Sequence, residues 1–374
     1  MTRGLDAGGM NSTDLLVVGG GPAGLATAAA AARLGRRVRV LERRTEQRRH
    51  SRALVVHAHT LEELEAIDVA QPLIDAGLPS RRLTISRGGR TLLAADFQRV
   101  NSRFPYALVV SQEVTERLLQ QRCVELGVEL LPGTEVVDCF DGGVRLADGQ
   151  ELSAPQIVGA DGLGSVIRAR TGIGFPGSSD TRHFTLADVR LSGDAPAGLN
   201  LHLEPDGILV LGSLPDQLTR IIADAPTENE PSREILQRML ATRGPAGLAI
   251  DEVEWSSRFS VQHRLADSFG RGRINLVGDA AHVHSPVGGQ GMNLGIVDGI
   301  ELAQALVDGP EAVELWRVRR RAAARQIVRT TETLFGLATS RQPVVRRIVP
   351  RLLGLAGHTP SIPHRLATLA SGLR

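Results

Sequence analysis

Residues 14–42 constrain this chain more than any other stretch. Leu15–Val18 is a short apolar run, partly β-branched and stopped by glycine, the pattern of a fully buried parallel strand. Gly19, Gly21 and Gly24 follow at G-x-G-x-x-G spacing. Residues 22–34 then read as a helix, with Pro22 in the first turn, where its missing N–H costs nothing, and Ala23 beside it. A second strand, residues 37–41, ends on Glu42. The glycine spacing alone signifies only a turn. Strand, glycines, helix, strand and acid in this order specify a dinucleotide-binding βαβ unit. Gly19 permits the tight turn, Gly21 lets backbone approach a pyrophosphate, Gly24 lets helix and strand pack closely, and the helix N-terminus faces the anion. Glu42 stands about 20 residues beyond the glycines, where a carboxylate meets a ribose hydroxyl rather than a 2′-phosphate. NAD or FAD therefore fits this nucleotide site better than NADP.

The chain has 374 residues, long for one core and suited to two domains. Its 43 basic and 41 acidic residues leave a net charge of +2, which gives no reason to expect nucleic acid. The 3% aromatic content argues against base stacking as well. Apart from histidine, every basic residue is arginine, so chemistry that needs a lysine amine is excluded. Two cysteines, Cys123 and Cys139, make neither a disulfide framework nor a zinc pattern. A reducing, cytoplasmic setting is expected. Residues 1–13 lack the apolar core of a signal peptide, and no apolar run reaches the roughly 18 residues of a membrane span. Stable membrane insertion is not expected.

After Glu42, residues 43–52 form a charged run that reads as a solvated loop. Arg52 stands apart because apolar residues 53–56 follow at once. His57 and His59 precede a helix for which Thr60 is the expected cap. Residues 83–93 read as a hairpin around Gly88-Gly89, residues 107–110 as a strand, and Ser111 as the cap of a helix that opens with Gln112. Strands follow at 128–131 and 135–138, then a hairpin tipped by Asp148-Gly149. The strand from residue 156 ends at Asp161-Gly162. Residues 179–262 alternate like an antiparallel sheet, with a helix over 232–242. His183 and His202 lie on its strands, and the pleat leaves open which face each takes. A strand over 273–277 ends at Gly278-Asp279. His282 and His284 form an H-x-H with no third ligand motif nearby, so no metal site is expected. A glycine-rich loop with Pro286, Gly288, Gly289, Gln290, Gly291 and Met292 then leads into a helix at Asn293, over 293–307. Residues 309–374 are helical and arginine-rich. Packing helices are the simplest reading, and an arginine-faced helix for a membrane surface or partner is the alternative.

Three motifs, Gly19–Gly24 with Glu42, Asp161-Gly162, and Gly278-Asp279 with Pro286 and 288–293, stand in order after their strands. Over residues 14 to about 310 the pattern resembles the class A flavoprotein monooxygenases, the family of p-hydroxybenzoate hydroxylase. It looks closest to the phenol hydroxylases and aromatic polyketide hydroxylases. The resemblance implies an α/β fold with a doubly wound, GR2-type Rossmann-like FAD domain from residues 10–79, 105–178 and 262–310. A mostly antiparallel substrate domain, 80–104 and 179–261, would interrupt it, and 311–374 would form a C-terminal helical segment.

The resemblance also implies site residues. Gly19, Gly21, Pro22, Ala23 and Gly24 would hold the FAD pyrophosphate and Glu42 the adenosine ribose, with Arg43 a further cofactor-binding residue. Arg52 would reach the phosphate and ribityl region, Gln112 the ribityl chain, and Val136 the adenine through its backbone. Asp161 would help hold the pyrophosphate and Asp279 a ribityl hydroxyl. Gly288, Gly289, Gln290, Gly291, Met292 and Asn293 would offer backbone to the flavin pyrimidine edge, where reduction places negative charge. Pro286 would sit beside the isoalloxazine. NAD(P)H and O2 would be consumed in hydroxylating an electron-rich aromatic through a flavin C4a-hydroperoxide. Baeyer–Villiger insertion, epoxidation and a non-catalytic flavin fold are the alternatives. His57 would orient a phenol or accept its proton, the plainer reading being a hydrogen-bonded structural histidine. Two departures stand out. His59 occupies a position where the family often has arginine, and 374 residues leave no room for the thioredoxin-like domain of larger members. A short form, monomer or homodimer, is expected.

Overall fold

The computed structural model describes residues 13–46, 53–225, 231–285, 288–340, 342–357, 359 and 361–373. Arg52 and Pro286 lie outside the described residues. Leu15–Val18 is a strand with all four residues buried, as a run without polar alternation requires. It is central in a six-stranded sheet ordered Gly270–Arg271, Ile274–Leu276, Gln156–Gly159, Leu15–Val18, Val38–Glu42, Glu129–Pro132. Its pairings are parallel except at the Gly270–Arg271 edge. The strands that precede the three motifs are therefore neighbours, and the motifs emerge together at their carboxyl ends, where open α/β sheets bind ligands.

The helix Pro22–Arg33 packs against Gln112–Glu125 on one side and Gln290–Asp308 on the other. The second contact is backbone against backbone. A Cβ on Gly299 would stand 2.2 Å from Thr27 Oγ1 and 2.8 Å from Ala23 O, and one on Gly295 would stand 2.9 Å from Gly278 Cα. Glycines at i and i+4 share one helix face, and here that face must be bare.

The second sheet has eight strands, ordered His282–Val283, Ala249–Leu265, Gly177–Ser192, Leu218–Ala225, Gly207–Ser213, Leu199–Glu204, Arg82–Arg87, Arg90–Asp96. One pairing, Leu199–Glu204 with Arg82–Arg87, is parallel; the others are antiparallel. The hairpin around Gly88-Gly89 thus joins the later strands in one sheet. One face packs Ala187, Val189, Leu209, Leu211 and Ile221 against the helix Arg233–Arg243. The other packs Phe184, Leu186 and Ile208 against Phe335 of the long helix Pro310–Ala338. Helices Pro343–Gly357 and Ser361–Ala370 lie against the edge strand Arg90–Asp96.

Two helix starts differ from expectation. The helix expected to begin at Thr60 runs over Ala58–Glu65 with His57 as its N-cap, so Thr60 is already in its first turn. The His57 N–H is satisfied by Asn293, which fixes the entry of the chain one turn early. The helix expected from Asn293 begins at Gln290, because Gly289 takes a left-handed conformation (φ 62°) open to glycine and turns the chain straight into the helix. Ser111 caps its helix as expected, accepting from Val114 N.

The glycine contact between helices has a direct test. Gly299→Ala should cost about 1–3 kcal/mol through overpacking, seen as a lower denaturant midpoint with an unchanged slope. Wild-type stability in that variant would show that the two helices do not need backbone contact.

Candidate active site

The nucleotide end of the site is assembled by Glu42. Its Oε2 accepts from Gly20 N at 2.8 Å, and its Oε1 accepts from Arg44 N at 3.0 Å and Arg44 Nε at 2.8 Å. Burial alone raises the Glu42 pKa, but these hydrogen bonds outweigh it and hold the group below the ordinary carboxylate value. Arg44 is the arginine that engages the acid, while Arg43, a candidate cofactor contact, is exposed. Side-chain alternation past the strand end puts residues 42 and 44 on one side, a signal present in the sequence. Gly19 backs onto the Gln156–Gly159 strand's exit, where a Cβ would stand 2.3 Å from Ala160 O. Gly21 is the opposite case, since a Cβ there would meet no atom within 4 Å. No side chain caps the helix that starts at Pro22. Its first N–H groups, at Ala23 and Gly24, have no intrahelical acceptor and face that open space.

Asp161 is used within its own turn. Oδ1 accepts from Ser165 Oγ at 2.5 Å, and Oδ2 from Val166 N at 2.7 Å and Ile167 N at 3.2 Å. Burial raises its pKa, against those bonds. The carboxylate expected on the pyrophosphate thus caps the helix Val166–Arg170. Arg168, on that helix, donates from Nη1 to Ala280 O at 2.9 Å and from Nη2 to Leu163 O at 2.8 Å. It ties the Asp161 turn to the Gly278–Ala280 turn, a link the sequence does not announce. Gln112 donates from Nε2 to Glu116 Oε1 at 2.7 Å, Val136 is buried at the start of its strand, and Asp279 is exposed.

The glycine-rich loop is held from below. Asn293 is buried. Its Oδ1 accepts from His57 N at 2.8 Å, and its Nδ2 donates to Val55 O at 2.8 Å and Gly289 O at 2.7 Å. His57 Nε2 lies 3.1 Å from Gly289 O. A carbonyl only accepts, so Nε2 carries the proton, and the bare Nδ1 is buried without a partner. Burial pushes the His57 pKa down to about 4, against its backbone hydrogen bonds. His57 is therefore neutral near pH 7 and sits inside the wall, the arrangement of a hydrogen-bonded structural histidine. His284 is similar. Its Nδ1 donates to Ser285 O at 2.9 Å, its Nε2 is buried and unpartnered, and burial pushes its pKa down to about 4.

The H-x-H does not converge. His282 Nε2 bonds Asp298 Oδ2 at 2.6 Å, away from His284, and Asp298 Oδ1 accepts from Arg320 Nε at 2.5 Å. Elsewhere, ligand-type atoms of His59, Glu63 and Glu301 lie within 4.8 Å of one another. Glu301 there already accepts from Arg319 and Arg320.

The second sheet turns one face toward this loop. Arg220 Nε and Nη2 bond the two Asp188 oxygens at 2.7 Å each, and Nη1 donates to Ala53 O at 2.8 Å. A Cβ on Gly212 would stand 2.6 Å from Leu54 Cδ2. The sheet is thereby fastened to the segment that leads into His57. One register step along, Leu186, Ile222, Val210 and Leu201 pair in sequence across the strands, so they share a face with Arg220 and Gly212. Leu201, Val210 and Ile222 are only half-buried. His202 and His183 lie on the other face by alternation. His202 Nδ1 bonds Ser86 Oγ at 2.8 Å and His183 Nδ1 bonds Ser260 Oγ at 3.2 Å. The pairing register, which the sequence left open, removes both from the apolar row.

The two neutral histidines make stability depend on acid. Unfolded histidine binds a proton near pH 6.5, whereas His57 and His284 do so only at about 4. The unfolded chain therefore binds more protons in that window. Stability present above the unfolded value is lost as pH falls, by about 1.4 kcal/mol per pH unit for each histidine. Denaturant titrations across this range should show the fall, and His57→Gln should flatten it by one histidine's share. An unchanged slope in that variant would mean that His57 titrates normally.

A family model described as an FAD binding domain matches residues 12–330. The chain is 33% identical over 385 residues to 6-methylpretetramide 4-monooxygenase of Streptomyces rimosus, covering 96% of this chain and 69% of the relative. It is 30% identical over 345 residues to pentachlorophenol 4-monooxygenase of Sphingobium chlorophenolicum, covering 86% and 64%. Among solved structures it is similar to the OxyS anhydrotetracycline hydroxylase from Streptomyces rimosus. That match has a TM-score of 0.78 at 31% identity, over 97% of this chain and 76% of that one. With its three motifs gathered at the carboxyl ends of neighbouring strands, the chain belongs to the FAD-binding family of class A flavoprotein monooxygenases that hydroxylate aromatic compounds.

Proposed function

We propose that this chain uses NAD(P)H and O2 to hydroxylate a phenolic or polyketide-type aromatic, in a pocket between its glycine-rich loop and the Leu201–Val210–Ile222 face. The observation that carries the cofactor site is the open space at Gly21 before an uncapped helix start. Bound FAD supplies the electron transfer and oxygen activation that no side chain offers. The chain's own part is to bind, orient and exclude water.

Ala23 and Gly24 offer N–H groups to the pyrophosphate at the positive end of their helix. Glu42, kept ionised by Arg44 and Gly20, offers an acceptor to the ribose. Arg52 supplies a cation to the phosphates, and Gln112, Val136 and Asp279 contact the remaining length of the cofactor. Asp161 acts through the backbone turn that it braces against Gly19. Residues 288–293 would present the start of a second helix to the flavin's pyrimidine edge. Asn293 and His57 position that loop. A neutral His57 fixes Gly289 O without adding a charge, so it is a positioning residue here. The half-buried aliphatic row offers a flat apolar wall to an aromatic ring. Relatives acting on a pretetramide and on a chlorinated phenol support this substrate class.

Gly21→Val separates binding from folding. The added side chain meets no protein atom at its Cβ, and the backbone there (φ −80°) suits valine, so thermal stability without cofactor should be unchanged. FAD affinity measured by flavin fluorescence should fall at least about tenfold, or 1.4 kcal/mol. Wild-type affinity would remove Gly21 from the site.

Turnover tests the reaction. NAD(P)H oxidation should be slow alone and at least roughly tenfold faster with the right phenol or polycyclic aromatic, a coupling of about 1.4 kcal/mol. The product should gain one oxygen atom with its ring carbons intact. Ring insertion or an epoxide would favour the other oxygenation chemistries. No stimulation across a broad panel of phenols and polycyclic aromatics would count against hydroxylation of this class.

A further inference from the structure

The last two helices carry a surface unlike the rest of the chain. Residues 341–374 hold six arginines and no aspartate or glutamate, although the whole chain has 43 basic and 41 acidic residues. The remainder is therefore acidic on balance. Helices Pro343–Gly357 and Ser361–Ala370 rest on the edge strand Arg90–Asp96, with Gly357 close enough that a Cβ would stand 2.4 Å from Leu92 O. Away from that contact, Val344, Ile348, Leu352 and Leu355 form one stripe at helical spacing. They are 64%, 46%, 58% and 68% exposed. Arg347 and Arg351 border the stripe and are exposed. Ile362 and Leu369, with Arg365, repeat the arrangement on the second helix. Arg347, Arg351 and Arg365 make no ion pair with a described residue. Some exposed arginines elsewhere do, as in Arg37–Asp14, Arg103–Glu65 and Arg145–Glu151.

The charge decides what covers this face. A second copy in a symmetric contact would set the same surface against itself, cation against cation. The stripe is wholly aliphatic, without the tryptophan, tyrosine, phenylalanine or methionine that anchor protein interfaces. Aliphatic helix faces rimmed by arginine match an anionic lipid surface. Apolar side chains enter the acyl boundary, and guanidinium groups meet headgroup phosphates bidentately. No described helix is long and apolar enough to cross a membrane, so contact is confined to the surface. We propose that helices Pro343–Gly357 and Ser361–Ala370 dock this enzyme reversibly on an anionic membrane surface.

The test uses the full chain loaded with FAD, without any measure of turnover. Flotation is compared with vesicles of phosphatidylcholine alone and of equal parts phosphatidylcholine and phosphatidylglycerol, at low and high salt. Binding should be at least about tenfold tighter to the anionic vesicles and should weaken with salt. Leu352→Glu and, separately, the double variant Arg347→Gln/Arg351→Gln should each lose at least about tenfold while keeping wild-type circular dichroism and flavin absorbance. The arginine pair leaves the apolar stripe intact, so it tests the charge even where Leu352→Glu misfolds. Equal binding to both vesicle types, or variants that bind like wild type, would overturn the proposal. So would a stable wild-type dimer that Leu352→Glu dissociates, which would assign the face to a second copy, or saturable capture of an acidic protein in preference to vesicles.

Discussion

Everything in this site depends on how closely the helix Pro22–Arg33 is allowed to approach its surroundings. Three contacts fix it, and each works because a Cβ is missing. Gly24 lies where a Cβ would stand 2.0 Å from Gly19 O, Gly278 where one would stand 2.9 Å from Ala23 Cβ, which has no rotamer, and Gly299 where one would stand 2.8 Å from Ala23 O. The first seats the helix on its own strand. The second and third bring the Gly278 turn and the Gln290–Asp308 helix against it. Side chains can adjust to a neighbour by changing rotamer, but backbone in contact with backbone cannot. The relative positions of the three motifs are thus set to within a narrow tolerance before any ligand is considered.

Charge is used to lock the remaining parts. Asp298 is fully buried between His282 and Arg320, and Arg320 reaches on to Glu301. This joins the strand after the Gly278 turn to two helices. Asp188 and Arg220 do the same for the sheet, because Arg220 spends its third contact on Ala53 O. Buried pairs of this kind add little net stability over apolar packing, yet a misplaced partner is costly. Their effect is to select one docking of sheet, loop and helix from the many that apolar faces alone would tolerate.

The sequence made the nucleotide-binding unit legible because its signals are local. Strand, glycines, helix and acid lie within thirty residues, and each constrains its neighbour's backbone. The hairpin at Gly88-Gly89 and the Ser111 cap are legible for the same reason. What stayed hidden depends on partners far away in the chain. His57 reads as a polar residue near a helix start, and only Asn293 and Gly289, more than two hundred residues on, make it a buried loop support. His183 and His202 could not be assigned because alternation gives two faces but not which is buried, and that follows from pairing register. Asp161 looked available for a ligand until Ser165 and the helix behind it took its oxygens. Gly295 and Gly299 are visible in the sequence as a bare helix face, but the helix that this face meets lies over two hundred residues away.

The direction of the two packed helices carries the argument one step further. Gly295 meets Ala23 and Gly299 meets Thr27, so residue numbers rise together along the contact and the helices run parallel. Parallel neighbours place their macrodipoles side by side, with both positive ends together, which is electrostatically unfavourable. Most helices soften such an end with a capping side chain or an acid in the first turn. Neither helix does so here: Gly21 and Gly289 are the N-caps, no side chain bonds either end, and neither first turn contains an acid. The nearby histidines, His57 and His284, are held neutral by burial, and Glu42, which bonds Gly20 beside the first cap, is already paired with Arg44. Two uncompensated positive ends therefore open on one region. An anionic group bridging them relieves the repulsion at both, so affinity for such a group and rigidity of the helix pair are coupled. That coupling is consistent with glycine, which brings no capping side chain of its own to compete with a ligand, at both caps.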